Sequence, residues 1–365
     1  MDHEPLGPEE LARLGLYDPA APDAADRLEL IRYAMARGAT VERIAAASNL
    51  GELALDLNLR TGPQTTLAEV AEEAGIDWDL AVRLVAALGL RPDPAQLMTA
   101  DEADALRLLS AGSRELFGEE ATVQVARVAG NAMARVAEVL VATFRLRLEL
   151  PRRTAGTGYF DVVQEYSDIA ERLLPAFVRT LDAVLRRQIV AVSERMWSTD
   201  ADQTVVTLPR TVGFADLVGY TAAAEAMSVG ELSAVLAEFD DKVFTAVLRS
   251  DGQVIKTIGD EALFVTEAAA DACKIALEIV HEFGRGRLPP VRVGLAAGQV
   301  LSVSGDVYGP DVNLAARLVA QAEPSTAVVS QQVRAECDGL FSFEALPPLA
   351  IKGIAEPVSA YRLLG

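Results

Sequence analysis

A chain of 365 residues, 51% hydrophobic and 24% charged, has the length for two domains and the apolar mass for real cores. A net charge of −20, with only four lysines (Lys242, Lys256, Lys274 and Lys352), argues against broad binding to nucleic acid or anionic membrane, both of which want an excess of Lys and Arg. Cys273 and Cys337 are too few for a disulfide framework or a zinc site, no uncharged apolar run approaches the roughly 18 residues of a membrane span, and the acidic start lacks a signal-peptide core; the expectation is a cytoplasmic protein with no membrane span.

Residues 1–198 read as an all-helical domain. Pro8-Glu9-Glu10 opens a helix with proline and acids in its first turn. Residues 26–37 place Leu28, Ile31 and Met35 on one face and stop before Gly38. Residues 119–150 form a long periodic helix that Pro151 is expected to end, with a loop over 152–158. Residues 159–197 are again helical, with a bend expected at Pro175, and 198–204 are a polar linker.

The pattern then changes to alternating strands and helices. Strands are expected at 205–214, 253–257 and 262–266, a hairpin at 291–297 and 299–304, and strands at 327–330 and 358–363. Helices fall at 228–249, 268–283 and 310–320. This β-α-β-β-α-β order is ferredoxin-like, so the chain is α+β, with a second domain at 203–365 behind the helical one.

Three stretches of the second domain carry chemistry. In Phe214-Ala215-Asp216-Leu217-Val218-Gly219-Tyr220-Thr221 a carboxylate ends an apolar strand, and the backbone at Leu217 and Gly219 can come close to a phosphate; alone, Asp216 could equally be a helix cap. In Ile255-Lys256-Thr257-Ile258-Gly259-Asp260-Glu261 a second aspartate sits on a tight turn, and Glu261 reads as a third ligand or a turn acid, the turn acid favoured. Two aspartates at adjacent strand ends suit Mg²⁺ held by few carboxylates plus substrate phosphates. In the third, from Gly305-Asp306 to Arg317, Asn313 and Arg317 lie four apart on one helix face, a pattern that an ordinary amphipathic helix also shows.

The three stretches in this order resemble the signature set of the class III adenylyl cyclases over residues 203–365. The resemblance implies that Asp216 and Asp260 bind two Mg²⁺ or Mn²⁺ ions per active site and that Lys256 and Asp306 read the adenine edge. It further implies that Asn313 positions the ribose, that Arg317 stabilises the transition state, and that Lys352 lies near the triphosphate. The product would be cyclic AMP, made by attack of the ribose 3′-hydroxyl on the α-phosphorus of ATP. A lysine donor and an aspartate acceptor match adenine and not guanine. Many relatives carry an arginine where this chain has Gln299, which points to a missing second arginine near the phosphates. Since such sites form between two subunits, a homodimer with two shared active sites follows.

The first 200 residues are similar to the autoinhibitory helical domain of actinobacterial cyclases. That likeness implies regulation by pH or by a small-molecule or lipid effector. The domain's one histidine is His3, so pH sensing would fall to carboxylates and their arginine contacts. Residues 65–90 also resemble a helix-turn-helix, the basis of a DNA-binding alternative. Residues 1–120 hold 23 acids against 10 bases, and 65–90 hold five acids against Arg83 alone, which speaks against DNA. A catalytically weak nucleotide-binding module and a diguanylate cyclase are further alternatives; the intact residue set opposes the first and the Asp306–Arg317 stretch the second.

Overall fold

The computed structural model describes residues 6–196, 207–283, 288–350 and 356–365. The chain divides into two compact units, Met1–Thr199 and Asp200–Gly365. The expected linker at 198–204 lies outside the described residues.

In the first unit α1 (Ala24–Ala36) and α2 (Leu50–Leu59) precede a strand β1 (Gln64–Thr66). There follow α3 (Leu67–Glu73), α4 (Trp78–Ala87), β2 (Leu97–Thr99), α5 (Ala100–Gly112), α6 (Glu119–Phe144) and α7 (Tyr159–Met196). Apolar faces build two cores, one around Leu11, Ile31, Leu53 and Val163, the other around Leu67, Val70, Leu84, Leu106 and Val123.

Two features differ from the sequence expectation. β1 and β2 pair antiparallel, Gln64 opposite Thr99, so the helical unit carries one short ribbon. Each strand is three residues long, too short for a period-two pattern, and ends on a threonine that caps the next helix in a capping box with Glu69 or Glu102. Pro151 does not end the helix before it. A wider turn over Arg145–Glu149 shifts the hydrogen-bond register, and helix resumes over Leu150–Thr154 with proline in its first turn, where no N–H is needed. α7 is helical on both sides of Pro175.

The second unit is built on β3 (Thr207–Leu217), α8 (Val229–Arg249), β4 (Gln253–Ile258), β5 (Glu261–Thr266), α9 (Ala269–Glu282) and β6 (Val291–Val303). These strands stand in the order β4-β5-β3-β6, the antiparallel arrangement of a ferredoxin-like βαββαβ fold. β7 (Asp306–Tyr308) pairs with the end of β6, α10 (Pro310–Gln321) follows, and β8 (Ala327–Ser330), β9 (Phe343–Ala345) and β10 (Ala360–Leu363) extend the sheet.

Alternation along the strands sends one set of residues to each face. Ala215, Leu217, Phe264, Val293 and Leu295 join α8 and α9 in the main core. Val212, Phe214, Leu263, Val265, Ala296 and Val300 pack with Val312, Ala315 and Val319 of α10 on the other face.

β6 corrects the expected hairpin at 291–304. It is one 13-residue strand, paired with β3 from Leu217–Val291 to Thr207–Leu301. Gly294 and Gly298 are not turn glycines. A Cβ at Gly294 would run into the backbone of Val319 and Ala315, and one at Gly298 into the Asp311 carboxylate. Both leave room for α10 to lie against the sheet. The chain reverses at Ser304-Gly305, where both residues have positive φ (57° and 77°), as a tight hairpin turn requires.

Candidate active site

Asp216 is the next-to-last residue of β3. Val212 and Phe214 precede it on the α10 face of the sheet, and the period-two rule puts Asp216 there too. Its cross-strand neighbours are Glu261 on β5 and Arg292 on β6. Arg292 donates through Nε to Asp216 Oδ2 at 2.6 Å, and its Nη2 forms an ion pair with the same oxygen, also at 2.6 Å. Asp260 occupies the turn between β4 and β5, tied to the end of β3 by the Leu217 amide, which donates to the Asp260 carbonyl at 3.1 Å. Burial pushes the Asp260 carboxyl above its ordinary range and the charge of Asp216 adds to this, while Arg292 opposes it. Glu261 is raised by burial, then by Asp216 and Asp260.

Lys256, on β4, pairs its Nζ with Asp306 Oδ2 at the start of β7. The Val307 amide donates to Asp306 Oδ1 at 2.9 Å. Burial alone would raise the Asp306 carboxyl, but the hydrogen bonds from Lys256, Val307 and Tyr308 outweigh it and hold the group below its ordinary value. Asn313 and Arg317 project from α10 away from its buried residues Val312, Ala315, Leu318 and Val319. No hydrogen bond or ion pair among the described residues joins either of them to the carboxylates. The fold thus brings together Asp216 with Asp260, and Lys256 with Asp306, and leaves Asn313 and Arg317 on the helix surface.

The Leu217 amide is engaged with the Asp260 carbonyl, and the Val218 amide with the Pro290 carbonyl; the chain then turns at Gly219, whose φ of 76° is left-handed. Leu217 itself is a core side chain. Lys352 lies outside the described residues.

Two family models cover the two units. The adenylate cyclase regulatory domain matches residues 13–191, and the adenylate and guanylate cyclase catalytic domain matches 207–365. An adenylate cyclase of Streptomyces coelicolor is 35% identical over 73% of this chain and 70% of its own length. The chain belongs to the adenylate cyclases. A pH-sensitive adenylate cyclase of Mycobacterium tuberculosis is 27% identical over 93% of this chain and 88% of its own. The adenylyl cyclase CyaB of Pseudomonas aeruginosa, a solved structure, is 19% identical, with a TM-score of 0.40 over 45% of this chain and 97% of that one.

For an adenylate cyclase with a regulatory domain, the DNA-binding alternative falls away. α3 and α4 do form at 65–90, but Arg83, the one base there, pairs with Glu119 and Glu120 of α6. No helix among the described residues is long and apolar enough to cross a membrane.

One residue beside the carboxylates, Arg292, is not singled out by the sequence, and another, Glu261, reads there in favour of a turn acid. Arg292 interrupts a strand whose odd positions, Val291, Val293, Leu295 and Ala297, are core, so its charge had to face the other side, beside Asp216. It supplies an arginine close to the carboxylates despite Gln299. Glu261, read as a turn acid, is the first residue of β5 and part of the carboxylate group. Cyclases of this family use divalent metal ions, and the donor set here fits one. Two aspartates brought together at strand ends, one with its pKa raised by burial and then by the charge of the other, form an under-neutralised anionic site. Among the described residues no group of three or more metal-ligating side chains converges, so the remaining ligands would come from substrate and water.

Proposed function

We propose that this adenylate cyclase converts ATP to 3′,5′-cyclic AMP and pyrophosphate in sites shared between two copies of the chain. The observation that carries the reading is the pairing of a lysine donor with an aspartate acceptor, Lys256 and Asp306, on the sheet face that also bears the Asp216–Asp260 carboxylates. Lys256 donates to N1 of adenine and Asp306 accepts from its 6-amino group. Guanine offers the reverse pattern and is disfavoured. In the absence of substrate each group satisfies the other, so neither is left as a bare buried charge.

Asp216 and Asp260 would hold two Mg²⁺ or Mn²⁺ ions. When bound, the metal lowers the pKa of the ribose 3′-hydroxyl and offsets charge on the triphosphate. Gly219 lets the backbone come near the phosphates. Arg317 meets negative charge that develops at the α-phosphate, a contribution typically worth on the order of 10²–10³-fold in rate, and Asn313 orients the ribose. Lys352 is assigned to the triphosphate by resemblance alone.

Asn313 and Arg317 have no described link to the carboxylates of their own chain, which supports a site completed by a partner protomer. One protomer would give Asp216 and Asp260, and its partner Lys256, Asp306, Asn313 and Arg317. The exposed apolar residues of α7, among them Leu173, Val178, Leu185 and Ile189, each more than half exposed, are a further reason to expect a second copy. We take the helical unit to be the part that sets the activity, through pH or through a small-molecule or lipid effector. The test is turnover of ATP and GTP by the purified chain with Mg²⁺ and with Mn²⁺, cyclic nucleotide read by chromatography. Cyclic AMP as the main product supports the proposal; no cyclic nucleotide, or cyclic GMP in excess, overturns it.

A further inference from the structure

We propose that Arg292 acts as a resident counter-ion for Asp216, so that a divalent cation gains this carboxylate only as the arginine lets go of it. The proposal rests on the assignment of Asp216 to metal binding made above. Both contacts from Arg292 go to the same oxygen, Asp216 Oδ2, at 2.6 Å. The Asp216 side chain is only 15% exposed, and Arg292 is 32% exposed, so the pair is partly shielded from water. Both residues lie within a strand pair of unbroken register, and the guanidinium reaches Asp216 without any loop having to close.

The surroundings make the pairing consequential. Asp216 has Glu261 as its neighbour on β5, and the charges of Asp216 and Arg292 both act on the Asp260 and Glu261 carboxyls, so negative charge outnumbers the one guanidinium here. Lys256 is committed to Asp306. The site therefore still attracts a divalent cation, but a cation arriving alone has to displace a charge-assisted hydrogen bond and the ion pair with Arg292 to reach Asp216. A nucleotide triphosphate changes the balance. Its oxygens match the planar fork of a guanidinium, so Arg292 can exchange a carboxylate for phosphate as the metal takes Asp216. Metal and nucleotide would then bind with positive coupling, each raising affinity for the other by the same factor. A free protein poised this way keeps metal weakly until substrate is present.

The test is Mn²⁺ binding to the full chain without nucleotide, followed by loss of the free Mn²⁺ signal in electron paramagnetic resonance. Arg292→Met should bind Mn²⁺ about tenfold more tightly than wild type, the size expected for removing a charge-assisted competitor. Lys256→Met removes a positive charge from the same face without touching Asp216 and should change the affinity by less than about twofold. Circular dichroism melting checks that each variant is folded, and Arg292→Gln replaces Arg292→Met if the latter is not. Equal affinity in wild type and the Arg292 variant, or an equal gain in Lys256→Met, overturns the proposal. Asp216→Ala in the Arg292→Met background separates this from the underlying assignment: if the double variant binds Mn²⁺ as tightly as Arg292→Met alone, Asp216 is not a metal ligand and the function proposed above loses its metal site.

Discussion

Lys256 and Asp306 are 50 residues apart in sequence and form an ion pair that joins β4 to β7. The Val307 amide fixes the Asp306 carboxylate from behind, so the acceptor is held in place before any base arrives. If the pair reads adenine, the double variant Lys256→Glu with Asp306→Cys should lose most activity on ATP and shift relative preference toward GTP. Loss of two matched polar contacts costs a few kcal/mol, about 10²-fold or more in kcat/KM for ATP. The check is kcat/KM for both nucleotides; an unchanged ATP:GTP ratio removes these residues from the purine site.

The closeness of α10 to the sheet depends on Gly294. A Cβ there meets the backbone of Val319 and Ala315, which no side-chain rotation can relieve. Gly294→Ala should therefore cost about 1–3 kcal/mol and lower the melting temperature. It should also reduce turnover, because the displaced helix carries Asn313 and Arg317. Thermal melting together with kcat measures both effects, and a variant that melts and turns over as wild type contradicts the packing described.

The helical unit has an acid-sensitive contact of its own. Arg60 donates to Glu102 and to Asp56, linking α2 to the start of α5. Burial would raise the Glu102 carboxyl, but the Arg60 hydrogen bond and the Thr99 amide hold it below its ordinary value of 4.5. A carboxyl lowered by folding stabilises the native state above its unfolded pKa, and that contribution is lost as pH falls through the lower, folded value. Glu102→Gln should lower the melting temperature by roughly 2–4 °C at pH 7, with the difference from wild type shrinking as pH falls below the ordinary carboxyl value of 4.5. Melting curves across pH decide this; a constant difference at all pH values would mean that packing and not charge is responsible.

Removing residues 1–198 tests regulation. The truncated chain should differ from the full chain several-fold in specific activity or in the shape of its pH profile. Identical activity and profile would leave the helical unit no regulatory role in turnover.

Much of this was legible in the sequence because the chemistry is local. Asp216, Asp260 and Asp306 sit at strand ends and turns, where a charge among apolar runs stands out, Lys256 lies within β4 and is singled out with Asp306 through the family resemblance, and proline with acids marked the helix starts. What escaped depends on partners distant in sequence. Gly298 looked like a turn because nothing nearby shows that Asp311 comes against it. Arg292 became a candidate only once the register set it beside Asp216, and the same register, with Glu261 opposite Asp216 on β5, favours the reading of Glu261 that ranks second in the sequence alone. The β1–β2 ribbon joins segments about 30 residues apart, each too short to signal a strand alone.

The shared site is the central claim, and mixing two inactive variants tests it most directly. Asp216→Ala and Arg317→Ala homodimers should each be inactive. In a heterodimer of the two, one site carries both lesions and the other is whole. With random pairing about half of the dimers are mixed, each with one good site, so activity should recover to roughly a quarter of wild type. A mixture of Asp216→Ala with Asp260→Ala has both lesions on the same half-site and should stay inactive. Recovery in the first mixture and none in the second is the predicted result. No recovery in the first, with heterodimers shown to form, would contradict the account and place the whole site within one chain.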